Sequence, residues 1–157
     1  MNSSSAPVIV ALPPTPVFLV GQDLSAISVE YVWLDWHDRR KVRQRVSSDA
    51  GTELCLSLPR GTVLVDGQVL LSDAERHIIV RAKLQPLLAI SPTTLQESCR
   101  VAHHLGNWHR PIQIARDGKL LVEKDHPVVE WLERTQIPFA ELDSPFEPNS
   151  IASSHNH

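Results

Sequence analysis

Two rhythms of apolar residues divide this chain. From about Val29 the apolar positions follow a period of two, the spacing of a strand with one buried face. Tyr31, Val32, Trp33 and Leu34 favour strand, and Glu53 to Leu58 alternates as Glu-Leu-Cys-Leu-Ser-Leu. Pro59, Arg60 and Gly61 form a turn signal, and Val63 to Val65 and Gln68 to Leu71 flank Asp66-Gly67, which predicts a hairpin. Ile78 to Ala82 reads as one more strand. Arg39, Lys41, Arg43 and Arg45 alternate with Arg40, Val42, Gln44 and Val46, which predicts a basic row on one strand face. Such a row is either a solvated outer face or a docking surface for an acidic partner. The first half is thus a small all-β unit of about five or six short strands.

The rhythm changes near Leu84 to Pro86. Leu87 to Ile90 is a short apolar strand. Ser91 is a candidate N-cap with Pro92 in the first turn, and Leu95, Cys99, Ala102 and Leu105 recur at helical spacing until Gly106 or Asn107. Pro111 to Ala115 and Lys119 to Val122 flank an Asp117-Gly118 turn. A second helix is predicted from His126 to Thr135, capped by Asp125 or His126, with Pro127 in its first turn. Phe139 to Leu142 is the last strand. The order βαββαβ is the ferredoxin-like plan, so the fold class expected is α+β. The domains expected are a flexible segment over 1–20, a β-rich domain over 21–85, a ferredoxin-like domain over 86–148 and a flexible tail over 149–157.

Composition narrows the function classes. The chain has 157 residues, 42% hydrophobic and 21% charged, enough for a packed core. A formal charge of -3 argues against a protein that coats nucleic acid. Cys55 and Cys99 form no CxxC pair, so neither a disulfide scaffold nor a cysteine zinc site is supported. The early apolar stretch from Pro7 to Pro14 is short and unpreceded by Lys or Arg, and no segment is long enough to span a bilayer. A cytoplasmic location is expected, with no membrane partner.

Histidine is the residue that carries chemistry. There are eight, and His103, His104, His109, His126, His155 and His157 all lie from residue 103 onward. Imidazole is the commonest metal-ligating side chain and titrates near neutral pH. His103 and His104 fall at a helix C-terminus, where charged imidazole interacts favourably with the helix dipole; that reading is preferred for His103. His109 lies past the helix stop, in a loop that can hold a functional group open. His126 is either a cap, a surface residue or a ligand. His155 and His157, two residues apart, can close on one ion. The donors suit nickel, copper and zinc alike, and no Cys₂His₂ or His-Glu-x-x-His spacing is present.

The block His104-Leu-Gly-Asn-Trp-His109-Arg-Pro-Ile-Gln-Ile114 resembles the HLGNRH-x-P-x-Q-I signature of the UreE family of urease accessory metallochaperones. Leu58-Pro-Arg-Gly-Thr-Val-Leu64 with Asp66-Gly67 is similar to the family's LPRGTVL-x-DG. The basic run Arg39 to Val46, Asp125-His126 and Pro145 to Pro148 also fit, so the resemblance covers roughly residues 29–148. It implies a peptide-binding-like first domain, a ferredoxin-like metal domain, and a homodimer in which His109 and its copy bind Ni²⁺ at the two-fold axis. It implies hand-off to the urease accessory GTPase and the urease assembly complex. Dimers that pair further into a dimer of dimers are left open, as are Zn²⁺ and Cu²⁺ at the same site.

Two departures from the family pattern stand out. Trp108 replaces the usual Arg, and Lys124 takes one position of a His-x-His pair whose other member is His126. The expected metal residues are therefore His109, His155, His157, His104 and His126. The expected activity is binding and transfer, not catalysis. The rival reading is an RNA-binding protein that uses the ferredoxin-like domain and the basic strand. Against it, Lys119 to Val122 carries no stacking aromatic. A metal-dependent hydrolase would need a general base beside an open metal position, and no such constellation is visible.

Overall fold

The computed structural model describes residues 7–12, 16–21 and 25–149. His155 and His157 lie outside the described residues. The chain divides into two compact units between Lys83 and Leu84.

The first unit is built on two three-stranded sheets. In one, β1 (Val8–Ala11) pairs in parallel with β4 (Glu53–Ser57), which pairs antiparallel with β3 (Arg43–Ser47). In the other, β2 (Ser28–Leu34) is parallel to β6 (Arg76–Ala82), and β5 (Val69–Ser72) is antiparallel to it. Val10, Leu54 and Leu56 from one sheet share a core with Val32, Leu34, Ile78 and Val80 from the other. Each such side chain removed from water contributes about 1.5–3 kcal/mol.

Three features of this unit depart from the sequence pattern. Val8 to Ala11, read as part of a flexible lead-in, forms β1 because its β-branched Val10 reaches the core at 7% exposure. Asp66-Gly67 is a turn, Gly67 having φ +84°, yet residues 63–65 form no strand. Instead the Asp66 carboxylate accepts from Ala82 N–H at 2.8 Å, and Gly67 N–H donates to Val80 at 2.8 Å, which fastens the turn to β6. The basic row is broken as well. Asp38–Arg40 is a single turn of 3₁₀ helix, and Arg39 is buried with its Nη1 donating to Leu64 O at 3.3 Å. Only Arg43 and Arg45 remain as outward cations of β3.

The second unit has the order β7 (Leu84–Ile90), α1 (Leu95–Asn107), β8 (Gln113–Ile114), β9 (Leu120–Glu123), α2 (His126–Thr135) and β10 (Phe139–Pro145). The sheet runs β10-β7-β9-β8, antiparallel throughout, which is the ferredoxin-like arrangement. Leu88, Ile90, Leu120 and Val122 from the sheet pack with Val101 and Leu105 from α1 and Val128, Trp131 and Leu132 from α2.

The start of α1 shifts from the position expected. Thr94, not Ser91, is the N-cap, its Oγ1 accepting from Glu97 N–H at 3.1 Å. Glu97 in turn accepts from Thr93 N–H at 2.6 Å, which ties the third helical residue back to the residue before the cap. The inner face is formed by Val101 and Leu105 with Ala102 beside them, and Leu95 and Cys99 are exposed. In α2, Asp125 is the cap, accepting from Val128 N–H at 3.0 Å, with Pro127 in the first turn as expected.

Candidate metal centre

The centre of interest is the turn that ends α1. Gly106 stays helical, and the chain reverses only at His109, which adopts the left-handed conformation with φ 55°. His109 N–H donates to Gly106 O at 3.0 Å, and Arg110 N–H donates to Leu105 O at 2.9 Å. This is a Schellman motif with histidine in the position usually held by glycine. A Cβ in that conformation costs about 1–2 kcal/mol. Strain of this kind persists where the surroundings over-determine it, and it clusters at functional sites.

The surroundings are visible on both sides of His109. Trp108 packs its ring against His104 at 4.2 Å between centroids. His104 lies flat on Trp131 of α2 at 4.0 Å, with the planes 10° apart. On the other side, Arg110 forms an ion pair with Asp125, the same carboxylate that caps α2. His109 itself is exposed.

The other sequence-derived candidates sit differently. The Nε2 of His104 is buried and meets no hydrogen-bond partner among the described residues. Burial, with Arg134 and His103 adding like charge, holds the His104 pKa below its ordinary value. His103 is exposed, its Nε2 at 3.0 Å from Asn107 Nδ2. His126 is exposed at the start of α2, with Nε2 at 3.1 Å from Glu130 Oε1. Lys124 pairs with Glu141 at 2.6 Å. Among the described residues, no group of three or more His, Cys, Asp and Glu side chains could hold one ion. The fold thus brings His104 and His109 onto one turn and leaves His126 at the head of the other helix.

The segment after β10 returns to this region. Glu147 N–H donates to Gln113 Oε1 at 2.9 Å, Asn149 N–H donates to Ile112 O at 2.9 Å, and Ile114 N–H donates to the Asn149 side chain at 2.5 Å. Phe146 anchors it, fully buried. The last described residue therefore lies beside Ile112, three positions from His109. Trp131 and the Arg110–Asp125 pair were not singled out from sequence. The i,i+4 spacing of His104 and Trp108 was the one local signal, and nothing local pointed to Trp131.

Comparison with known proteins agrees with this architecture. The family model for the UreE urease accessory protein N-terminal domain matches residues 19–83, and that for its C-terminal domain matches residues 85–157. A urease accessory protein UreE of Albidiferax ferrireducens is 36% identical over 133 residues, covering 79% of this chain and 76% of the relative. One from Actinomyces naeslundii is 33% identical over 151 residues, covering 88% and 93%. One from Cupriavidus pinatubonensis is 35% identical over 124 residues, covering 79% of this chain but only 56% of that longer relative. The two matched domains meet where the chain divides into its two compact units, and the chain belongs to the UreE family of urease accessory proteins.

Proposed function

We propose that this chain is a nickel chaperone that captures Ni²⁺ with His109 and releases it to the machinery that assembles urease. The observation that carries the reading is the exposed imidazole of His109, held in a left-handed turn that a glycine would occupy at lower energy. Retaining a histidine there puts a ligand at the apex of a braced turn.

One imidazole is a poor site, and among the described residues no cluster of three donors completes it. The further ligands then come from a second copy or from the tail. A two-fold interface doubles every ligand it contains, so His109 and its copy would face one ion in a homodimer. The tail candidates are His155 and His157, which follow Asn149 in the sequence; Asn149 N–H donates to Ile112 O, three positions from His109. His126, exposed and next to Glu130, is a secondary ligand. Zn²⁺ and Cu²⁺ suit the same imidazoles. Such a site binds through neutral imidazole, so acid releases the ion.

The partners are a second copy of the chain, the urease accessory GTPase and the urease assembly complex, in the cytoplasm. No helix among the described residues is long and apolar enough to cross a membrane. Isothermal titration of nickel into the wild type and His109→Ala tests the reading. Affinity should fall at least about 10-fold in the variant. Unchanged affinity and stoichiometry would remove His109 from the site.

A further inference from the structure

The histidine that begins the His104–His109 block is half-buried, and its Nε2 is closed off from an ion. Its Nε2 is buried without a partner, and its ring is covered by two indoles, Trp131 at 4.0 Å and Trp108 at 4.2 Å. Trp108 and Trp131 also meet edge to face at 6.5 Å. His104 is thus the middle member of a three-ring stack that runs from α2 to the residue immediately before His109.

That placement matters because His109 is held out of its preferred backbone conformation. A strained residue relaxes unless its neighbours are fixed. Two α2 residues fix them: Trp131 through His104 and Trp108 on one side, and Asp125 through Arg110 on the other. We infer that His104 is a positioning residue and not a ligand: its ring locks Trp108 against α2, and so sets where the His109 imidazole points. The inference rests on the reading of His109 as the nickel ligand.

The geometry makes the ring, not the nitrogen, the working part of His104. Phenylalanine at this position keeps an aromatic plate between Trp108 and Trp131 and places no unpartnered nitrogen in the stack. Alanine removes the plate. A ligand role makes the opposite demand, since phenylalanine would then be as damaging as His109→Ala.

Nickel titrations of the full chain separate these roles, with His109→Ala alongside as the control for the site itself. His104→Phe should bind nickel within about twofold of wild type. His104→Ala, which leaves every other imidazole in place, should weaken binding by about 10-fold or more, in the range typical of residues that orient a ligand. The d–d absorption of bound Ni²⁺ should be the same in His104→Phe as in wild type, which a lost nitrogen donor would alter. Loss of affinity in His104→Phe equal to that in His109→Ala overturns the inference while leaving the site reading intact. Unchanged binding in His109→Ala overturns the site reading instead. If His104→Phe does not fold, Trp131→Leu decides: weaker nickel binding supports positioning, and wild-type binding contradicts it.

Discussion

The imidazole of His104 lies parallel to the indole of Trp131, 4.0 Å away and tilted by only 10°. The contact joins the last turn of α1 to the middle of α2, and it buries a titratable ring. Burial, then Arg134 and then His103, lower its pKa. The unfolded chain takes up a proton near the ordinary value of 6.5, whereas the folded protein resists it until lower pH. The resulting contribution to stability is full above that value and is lost as pH falls through it. Melts followed by tryptophan fluorescence should show the wild type losing more stability than His104→Phe between about pH 7.5 and pH 5. Equal acid sensitivity would place the ring in water.

Left-handed backbone at two non-glycine helix ends gives a second prediction. Gln136 repeats the α1 ending at the end of α2, with φ 57°, Gln136 N–H donating to Glu133 O and Ile137 N–H to Leu132 O. Gln136→Gly should stabilise the protein by about 1 kcal/mol. His109→Gly should do the same while abolishing tight nickel binding. That combination separates a residue kept for function from one kept for stability. A destabilised His109→Gly would contradict the strain assigned to this turn.

The cap of α1 is a third point of test. Thr94→Ala removes the acceptor for Glu97 N–H and should cost about 1 kcal/mol in a denaturant melt. Ser91→Ala should cost little, because its tie to Pro138 runs through the backbone. The reverse ranking would restore Ser91 as the cap.

In the first unit, Glu30 is buried at 6% exposure, accepts from Ser48 Oγ at 2.5 Å and lies 3.9 Å from Arg76. Glu30→Ala removes the acceptor for Ser48 Oγ, while Arg76 keeps Asp73 and Thr52, and should destabilise this unit by about 1–2 kcal/mol. Equilibrium unfolding would show it, and a change below about 0.5 kcal/mol would mean the network is solvated.

Where the chain's pattern was strong and local, it was legible. The Asp125 cap with Pro127, the Asp117-Gly118 turn and the alternation over Glu53 to Leu58 each lead to the element found. What failed depended on tertiary partners. Val8 to Ala11 becomes a strand only because β4 offers an edge. Arg39 looks like a surface cation until Leu64 O accepts from it in the interior. His109 stood out from its motif, but its left-handed backbone did not, because a histidine carries no turn signal of the kind glycine does. His104 read as a ligand because the motif named it; the indole that covers it lies 27 positions along the chain.

In the proposed function, two copies of His109 hold one nickel ion between them. Native mass spectrometry of the nickel-titrated chain measures this directly. The first ion should appear on the dimer, one ion shared by two chains, and His109→Ala dimers should remain metal-free at the same nickel concentration. Nickel carried first by the monomer, or retained by the His109→Ala dimer, would contradict it.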